Sequence, residues 1–224
     1  MNPSNRRAER AKRMDRTSPV RDRRRRLIVA SVAVVIAATG GLYALVTLYA
    51  GSPSGSASPT YVVGAPGPGK AAPQVALRGT AGAFDLASAR RRGPVLLYFQ
   101  EGLTCQPCWD QLKTIQLDAR KFRALGVSRI VSITSDPLDA LRQKTSDEGL
   151  TIPVLSDPAL AVSRAYQANR YGMMGTSRDG HSFVLVGRDG VIRWRADYGG
   201  PPNYTMFVND SALLAALRAT TTRQ

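Results

Sequence analysis

The chain has 224 residues and a formal net charge of +15, a length that fits one folded domain with extensions. Residues 1–26 hold eleven Lys or Arg against three acidic residues, so more than half of the excess charge lies in a short tail. This distribution does not favour a nucleic-acid-binding domain. With two cysteines and one histidine, the chain cannot build a four-ligand zinc site from Cys and His or a framework of several disulfides.

The basic tail, residues 1–26, precedes residues 27–50, which contain no charged residue. A helix of that length rises about 36 Å, enough to cross a bilayer core of about 30 Å. The positive-inside rule then predicts a single-pass membrane helix with a cytoplasmic N-terminus and an extracytoplasmic remainder. A cleaved signal peptide is the alternative, and it also predicts that the remainder is exported.

Residues 51–72 are rich in Gly, Ser, Pro and Ala. Because this composition cannot bury enough apolar surface to order itself, we predict a flexible linker. The chain is therefore predicted to have four segments: the basic tail, the membrane helix at 27–50, the linker and a folded domain at residues 73–224.

Strand and helix patterns alternate in the predicted domain. Residues 95–99 (VLLYF) form an apolar run typical of a strand covered on both faces, and a helix with apolar positions every three or four residues follows. Residues 129–134 and 152–155 are predicted strands, each followed by a proline that opens a helix. Residues 187–190 indicate a hairpin, and a last helix begins near residue 210. This order predicts an α/β domain of thioredoxin-like fold, with a central mixed sheet and helices on both faces.

The motif Cys105-Gln106-Pro107-Cys108 follows the apolar strand and opens a helix, so both sulfurs are predicted to lie in the first helical turn. The N-terminus of a helix stabilises a thiolate and lowers the pKa of the cysteine. We predict that Cys105, the more exposed cysteine, is the catalytic nucleophile and that Cys108 resolves the mixed disulfide. The residues predicted to shape this site are Thr104, Gln106, Pro107 and Trp109.

Three stretches carry a resemblance to a known family: residues 72–86, PVLLYFQEGLTCQPCW and HSFVLVGRDGVIRW. They resemble the redoxin branch of the thioredoxin superfamily, which includes the alkyl hydroperoxide reductases and thiol-specific antioxidant proteins. The resemblance covers roughly residues 72–219 and is strongest to membrane-anchored thiol–disulfide oxidoreductases. It implies a two-cysteine exchange site and no bound organic cofactor. It also implies protein thiols and disulfides as substrates, with a membrane or extracytoplasmic electron donor.

One position departs from the pattern of that family. Its members usually carry a cis-proline before the hairpin strand, facing the cysteines, and counting back from Gly190 places His181 there. A cationic imidazole at this position would lower the pKa of Cys105 further, whereas the alternative is a loop histidine bonded to backbone. Glu101, just before the motif, is predicted to relay a proton to Cys108.

A copper metallochaperone is the main alternative function. Cys105, Cys108 and His181 form a Cys₂His set, and copper binds thiolates and imidazole well. Met173 and Met174 offer further soft ligands. This alternative predicts bound copper, whereas thiol–disulfide exchange needs no metal.

Two further functional classes are a thiol peroxidase and a non-catalytic binding module. Thiol peroxidases place a Thr three residues before the reactive cysteine, and Gly102 occupies that position here, so peroxidase activity is not expected. A non-catalytic binding module stays open as a third reading, in which the cysteines only lock a loop and aromatic residues supply a surface.

Overall fold

The computed structural model describes residues 36–37, 40–41 and 60–221, in a chain that divides into the units Met1–Ala57 and Ser58–Gln224. The four described residues of the first unit are helical. The predicted basic tail and all but these four residues of the predicted membrane helix lie outside the described residues. In the part of the chain that is described, no helix combines the length and the apolar character that a membrane span requires.

Seven strands of the second unit form one mixed sheet. In chain order they are β1 (Ala76–Gly79), β2 (Gly82–Asp85), β3 (Val95–Phe99), β4 (Arg129–Thr134), β5 (Val154–Ser156), β6 (Ser182–Val186) and β7 (Ile192–Asp197). Their order across the sheet is β2-β1-β5-β4-β3-β6-β7. Strands β3, β4 and β5 pair in parallel, whereas β6 and β7 form the predicted antiparallel hairpin. The β1–β2 hairpin at the opposite edge was not predicted.

Six helices pack around this sheet in the described chain. They are α1 (Leu86–Ala89), α2 (Gln106–Leu117), α3 (Ala119–Ala124), α4 (Leu138–Asp147), α5 (Ala161–Ala165) and α6 (Asp210–Thr221). The single helix predicted after the cysteine motif is divided at Asp118 into α2 and α3. The helix predicted after Pro158 is also divided, because Gln167 has a left-handed φ of 50° and separates α5 from a short 3₁₀ turn.

Two apolar layers cover the sheet, one on each face. All five residues of β3 are buried, and successive side chains point to opposite faces. Leu96 contributes to the layer beneath α2 and α6, where Leu112 and Leu213 pack. Leu97 contributes to the other layer, against α1 and α5. The predicted thioredoxin-like arrangement, with a fully covered central strand, is confirmed.

The segment 60–72, which we call the strap, pairs with the edge of the sheet instead of forming the predicted linker. Val62 and Asp197 exchange two backbone hydrogen bonds of 3.0 and 2.9 Å. Further along, the Gly69 N–H donates to the Ile192 carbonyl at 2.8 Å. The prediction of a linker over residues 51–72 is therefore wrong from Thr60 onward, because backbone pairing orders a segment whose composition favours flexibility. Residues 51–59 lie outside the described residues.

A buried ion pair fixes the strap to β7. Arg195 donates to both oxygens of Asp197, at 2.8 and 2.9 Å, and both side chains are fully buried. Asp197 also accepts the Gly64 N–H at 2.8 Å, and Arg195 donates to the Pro66 carbonyl at 3.2 Å. The charges are thus satisfied by one another and by the strap backbone, as a buried pair requires.

We expect Asp197→Asn to lower the free energy of unfolding by about 3–5 kcal/mol, because it leaves a buried guanidinium without a counter-charge. Asp189→Asn is the matched control, since Asp189 pairs with Arg193 at 2.6 Å on the exposed side of the same hairpin. Exposed pairs contribute less than about 1 kcal/mol. Urea unfolding of both variants measures the difference, and equal losses would contradict the anchoring role of Asp197.

Candidate redox site

The two cysteines form a disulfide at the beginning of α2. Cys105 is the N-cap residue of the helix, and its sulfur accepts a hydrogen bond from the Cys108 N–H at 3.3 Å. Pro107 lies in the first turn, where its missing N–H leaves no carbonyl unpaired. The sulfurs therefore lie at the positive end of the helix dipole, where a thiolate is stabilised.

The turn between β3 and α2 sets this position. Gly102 has a φ of +83°, and a side-chain carbon there would lie 1.7 Å from the Asp136 carboxylate. That carboxylate accepts the Leu103 N–H at 2.7 Å, and the indole N–H of Trp109 donates to the Gly102 carbonyl at 2.9 Å. Trp109 is fully buried, so it acts as an anchor of the turn and not as part of an aromatic surface.

The disulfide is almost enclosed. Cys105 is 6 % exposed and Cys108 is fully buried, and both pack against Met206 in an apolar cluster of their own. Met206 belongs to the irregular segment before α6, which is held to α2 because the Gln111 side chain accepts the Val208 N–H at 2.7 Å. The exposed neighbours of the disulfide are Leu103, Thr104, Gln106 and Pro107.

Tyr98 connects the cysteine turn to His181. The Tyr98 hydroxyl donates to the Cys108 carbonyl at 3.2 Å and lies 3.0 Å from the His181 Nδ1. The Tyr98 hydroxyl has one proton, and it is donated to the Cys108 carbonyl. His181 Nδ1 must then carry a proton and donate to the Tyr98 oxygen. His181 Nε2 is buried and has no partner among the described residues. His181 thus lies behind the cysteine turn, one side chain away from Cys108.

The predicted cationic imidazole is wrong. His181 is fully buried among the rings of Tyr98, Phe183 and Tyr198, and burial lowers its pKa to about 3. The imidazole is therefore neutral at pH 7 and provides no positive charge for Cys105. Its backbone is also occupied, since its N–H donates to Tyr171 and its carbonyl accepts from Tyr198.

The predicted copper ligands are not arranged as a metal site. No three Cys, His, Asp or Glu residues of the described chain form a group that could hold a metal ion, and this includes Cys105, Cys108 and His181. The physical reason is that the sulfurs are bonded to one another and His181 Nδ1 contacts Tyr98. Met173 and Met174 are exposed on a separate loop.

Glu101 ties that loop to the turn before the motif. Its carboxylate accepts the backbone N–H groups of Met173 and Met174. Its own carbonyl accepts from Arg178 at 3.0 Å, and Arg178 also pairs with Asp136 at 2.8 Å. These contacts assign Glu101 a structural role, and a proton relay from it to Cys108 stays a prediction.

Sequence reasoning missed Tyr98 and Met206. Tyr98 was read as one residue of an apolar strand, although a hydroxyl inside a fully buried run indicates a hydrogen-bonded partner. Met206 lies about 100 residues after the motif in a segment without regular structure. No local pattern in the sequence connects it to the cysteines.

Burial of His181 predicts a specific loss of stability in acid. Its folded pKa of about 3 lies below the ordinary value of 6.5, so the unfolded state binds more protons between these values. The contribution of His181 to the free energy of unfolding is present above pH 6.5 and decreases as the pH falls. The decrease amounts to about 2 kcal/mol between pH 7 and pH 5. Asp179 and Asp210, whose pKa values burial raises, contribute the opposite pH dependence in both proteins. Urea unfolding at both pH values should therefore show that the wild type loses about 2 kcal/mol relative to His181→Gln between pH 7 and pH 5. Equal pH dependence of the two proteins would contradict the assignment.

The sequence and the fold were compared with known proteins. The model of the AhpC/TSA family matches residues 68–195. Peroxidoxin BcpB from Mycobacterium tuberculosis superposes with a TM-score of 0.56 at 20 % identity, over 68 % of this chain and 96 % of that chain. A reduced 2-Cys peroxiredoxin from Plasmodium vivax gives 0.57 at 19 % identity, over 74 % and 84 % of the two chains. A candidate protein disulfide isomerase from Bacteroides thetaiotaomicron gives 0.50 at 19 % identity, over 73 % and 92 %.

No match was found among proteins with curated functions. At identities near 20 %, the similar structures establish a common fold alone. The family match includes the strand before the motif, the disulfide and most of the final hairpin. Since it covers more than half of the chain, the protein belongs to the AhpC/TSA family, within the thioredoxin-like redoxins.

Proposed function

We propose that the protein is an oxidoreductase that exchanges the Cys105–Cys108 disulfide with thiols of partner proteins outside the cytoplasm. The observation that carries the proposal is the disulfide itself, which lies at the beginning of a helix in a redoxin-family fold. The extracytoplasmic location rests on the uncharged segment at residues 27–50 and the arginines before it. The same segment is the proposed membrane anchor.

The exchange follows from the geometry of the two sulfurs. A partner thiolate attacks the sulfur of Cys105, which is the more exposed of the two, and the bond to Cys108 breaks. Cys108 leaves as a thiolate that takes up a proton, and the partner is now joined to Cys105 by a mixed disulfide. A second thiolate of the same partner attacks the partner sulfur in that bond, which forms a disulfide in the partner and releases Cys105 as a thiolate. The partner dithiol is oxidised by two electrons and the protein disulfide is reduced.

Cysteine variants test this order of attack. We expect Cys108→Ser to accumulate a mixed disulfide with glutathione through Cys105, because it lacks the resolving thiol. Cys105→Ser should form far less adduct, since Cys108 is fully buried. Intact-mass spectrometry after incubation with glutathione disulfide measures both. Equal labelling of the two variants would contradict the assigned roles.

A redox titration of the wild type tests the function as a whole. In glutathione buffers we expect a reversible two-electron couple that is lost in either cysteine variant.

Peroxide reduction is the second candidate, since two of the similar structures are peroxiredoxins. Fast oxidation of the dithiol by hydrogen peroxide would favour it, and stoichiometric Cu(I) binding by the reduced protein would favour the metallochaperone. A disulfide that does not exchange under any of these conditions would leave only a binding module.

Met206 should limit the rate of exchange. Its side chain packs against both cysteines, so an attacking thiolate reaches Cys105 only when this side chain moves. We expect Met206→Ala to accelerate reduction of the disulfide by dithiothreitol several-fold, measured by quenched alkylation. Met174→Ala is the control, because that methionine is exposed on a loop away from the cluster. An unchanged rate in Met206→Ala would show that access to the sulfur is not limiting.

A further inference from the structure

Four charged side chains lie beside the redox motif, on α2, on α4 and at the residue that directly follows α4. Glu148 lies at the centre, paired with Lys144 at 2.6 Å and in contact with Lys113. Lys113 also lies 3.6 Å from Asp110. Hydrogen bonds from the two lysines lower the pKa of Glu148 to about 2, so the cluster contains two positive and two negative charges at neutral pH.

Only one of the two lysines is in contact with the motif. The Lys144 ammonium donates to the side-chain oxygen of Gln106 at 3.1 Å and lies 5.6 Å from the ring centre of Trp109. The amide nitrogen of Gln106 donates to Asp110 at 3.0 Å. The Gln106 amide is therefore held between an anion and a cation, with its oxygen towards Lys144. Gln106 directly follows Cys105, so this contact brings a positive charge to the motif itself.

We propose that Lys144 is a positioning residue that stabilises the Cys105 thiolate through its contact with Gln106. The inference rests on the exchange reaction proposed above and adds a residue outside the cysteine motif that tunes it. The thiolate exists in the reduced state, and a positive charge favours it over the neutral thiol. Favouring the reduced state makes the disulfide a stronger oxidant.

Because His181 is neutral, a positive charge near Cys105 has to come from another residue outside the motif. The imidazole is neutral at pH 7 because burial lowers its pKa, so it cannot provide the positive charge that the family position suggested. The helix N-terminus remains as the fixed source of positive potential. Lys144 is the one lysine or arginine for which a contact with a side chain of the motif is observed among the described residues.

The experiment compares two lysine substitutions in the full-length protein. Lys144→Met and Lys113→Met each remove one positive charge and one partner of Glu148, but only the first removes the contact with Gln106. The reduced proteins are alkylated with iodoacetamide from pH 4 to pH 9 at low ionic strength, and modification of Cys105 is followed by peptide mass spectrometry. The reduction potentials of the same proteins are measured in glutathione buffers.

We expect Lys144→Met to raise the measured pKa of Cys105 by about half a pH unit. This is the size of effect expected when one unit charge several ångströms from the thiolate, with water between them, is removed. Below that pKa the alkylation rate should fall about threefold, because the fraction of Cys105 present as thiolate falls by that factor. The disulfide should also become a weaker oxidant. Lys113→Met should change these values much less, and Lys144→Arg should restore them because the charge is retained. A merely structural role of Lys144 would not move the pKa.

The outcomes separate the two proposals. If the wild type shows a reversible couple but Lys144→Met and Lys113→Met have the same pKa and potential, the positioning role of Lys144 is overturned and exchange stands. If the wild type shows no reversible couple, the proposed function itself is overturned. A larger effect of Lys113→Met than of Lys144→Met would also overturn the inference, because it would show that contact with Gln106 is not the route.

Discussion

The redox site depends on the position of the first turn of α2 relative to the buried strand β3. Strand β3 is covered on both faces and cannot move without disrupting two apolar layers. The hydroxyl of Tyr98, near the end of that strand, donates a hydrogen bond to the Cys108 carbonyl in the first turn of α2. Trp109 holds the turn that precedes the motif through the Gly102 carbonyl. The sulfur positions are therefore fixed by a buried strand, a hydroxyl and an indole, and not by the disulfide alone.

Much of this arrangement follows from local sequence patterns. The apolar run at 95–99, the motif after it and the hairpin at 187–190 each depend on neighbouring residues, and each appears where it was predicted. The β1–β2 hairpin was missed because both strands have only four residues and two residues of each are exposed, with β2 at the sheet edge, where one face need not be apolar. The strap was not predicted because glycine and proline composition carries no information about pairing with residues at least 120 positions away.

The parts of the site that could not be predicted all involve distant contacts. His181 was assigned to the vicinity of the cysteines from its place before β6, but its charge depends on burial among three rings, which no spacing reveals. Met206 reaches the sulfurs because α6 packs on the same face of the sheet as α2. Glu101 has a residue type suited to proton transfer, and its contacts with two backbone N–H groups of a distant loop have no signal in the local sequence. A residue type indicates what a side chain can do, whereas its neighbours determine what it does.

Burial and charge act on separate properties of the disulfide. Met206 packs in the cluster of the two sulfurs, and we expect it to restrict the approach of an attacking thiolate. Such a restriction affects the rates of exchange in both directions and leaves the equilibrium between disulfide and dithiol to other contacts. The helix N-terminus and the charge of Lys144 act on the stability of the thiolate, and hence on that equilibrium. The neutral His181 adds no charge that would stabilise the thiolate. It contacts the Tyr98 hydroxyl, which is bonded to the Cys108 carbonyl, so it supports the position of the turn. Access to the sulfurs can therefore change without a change in the reduction potential, since Met206 and Lys144 lie on different elements.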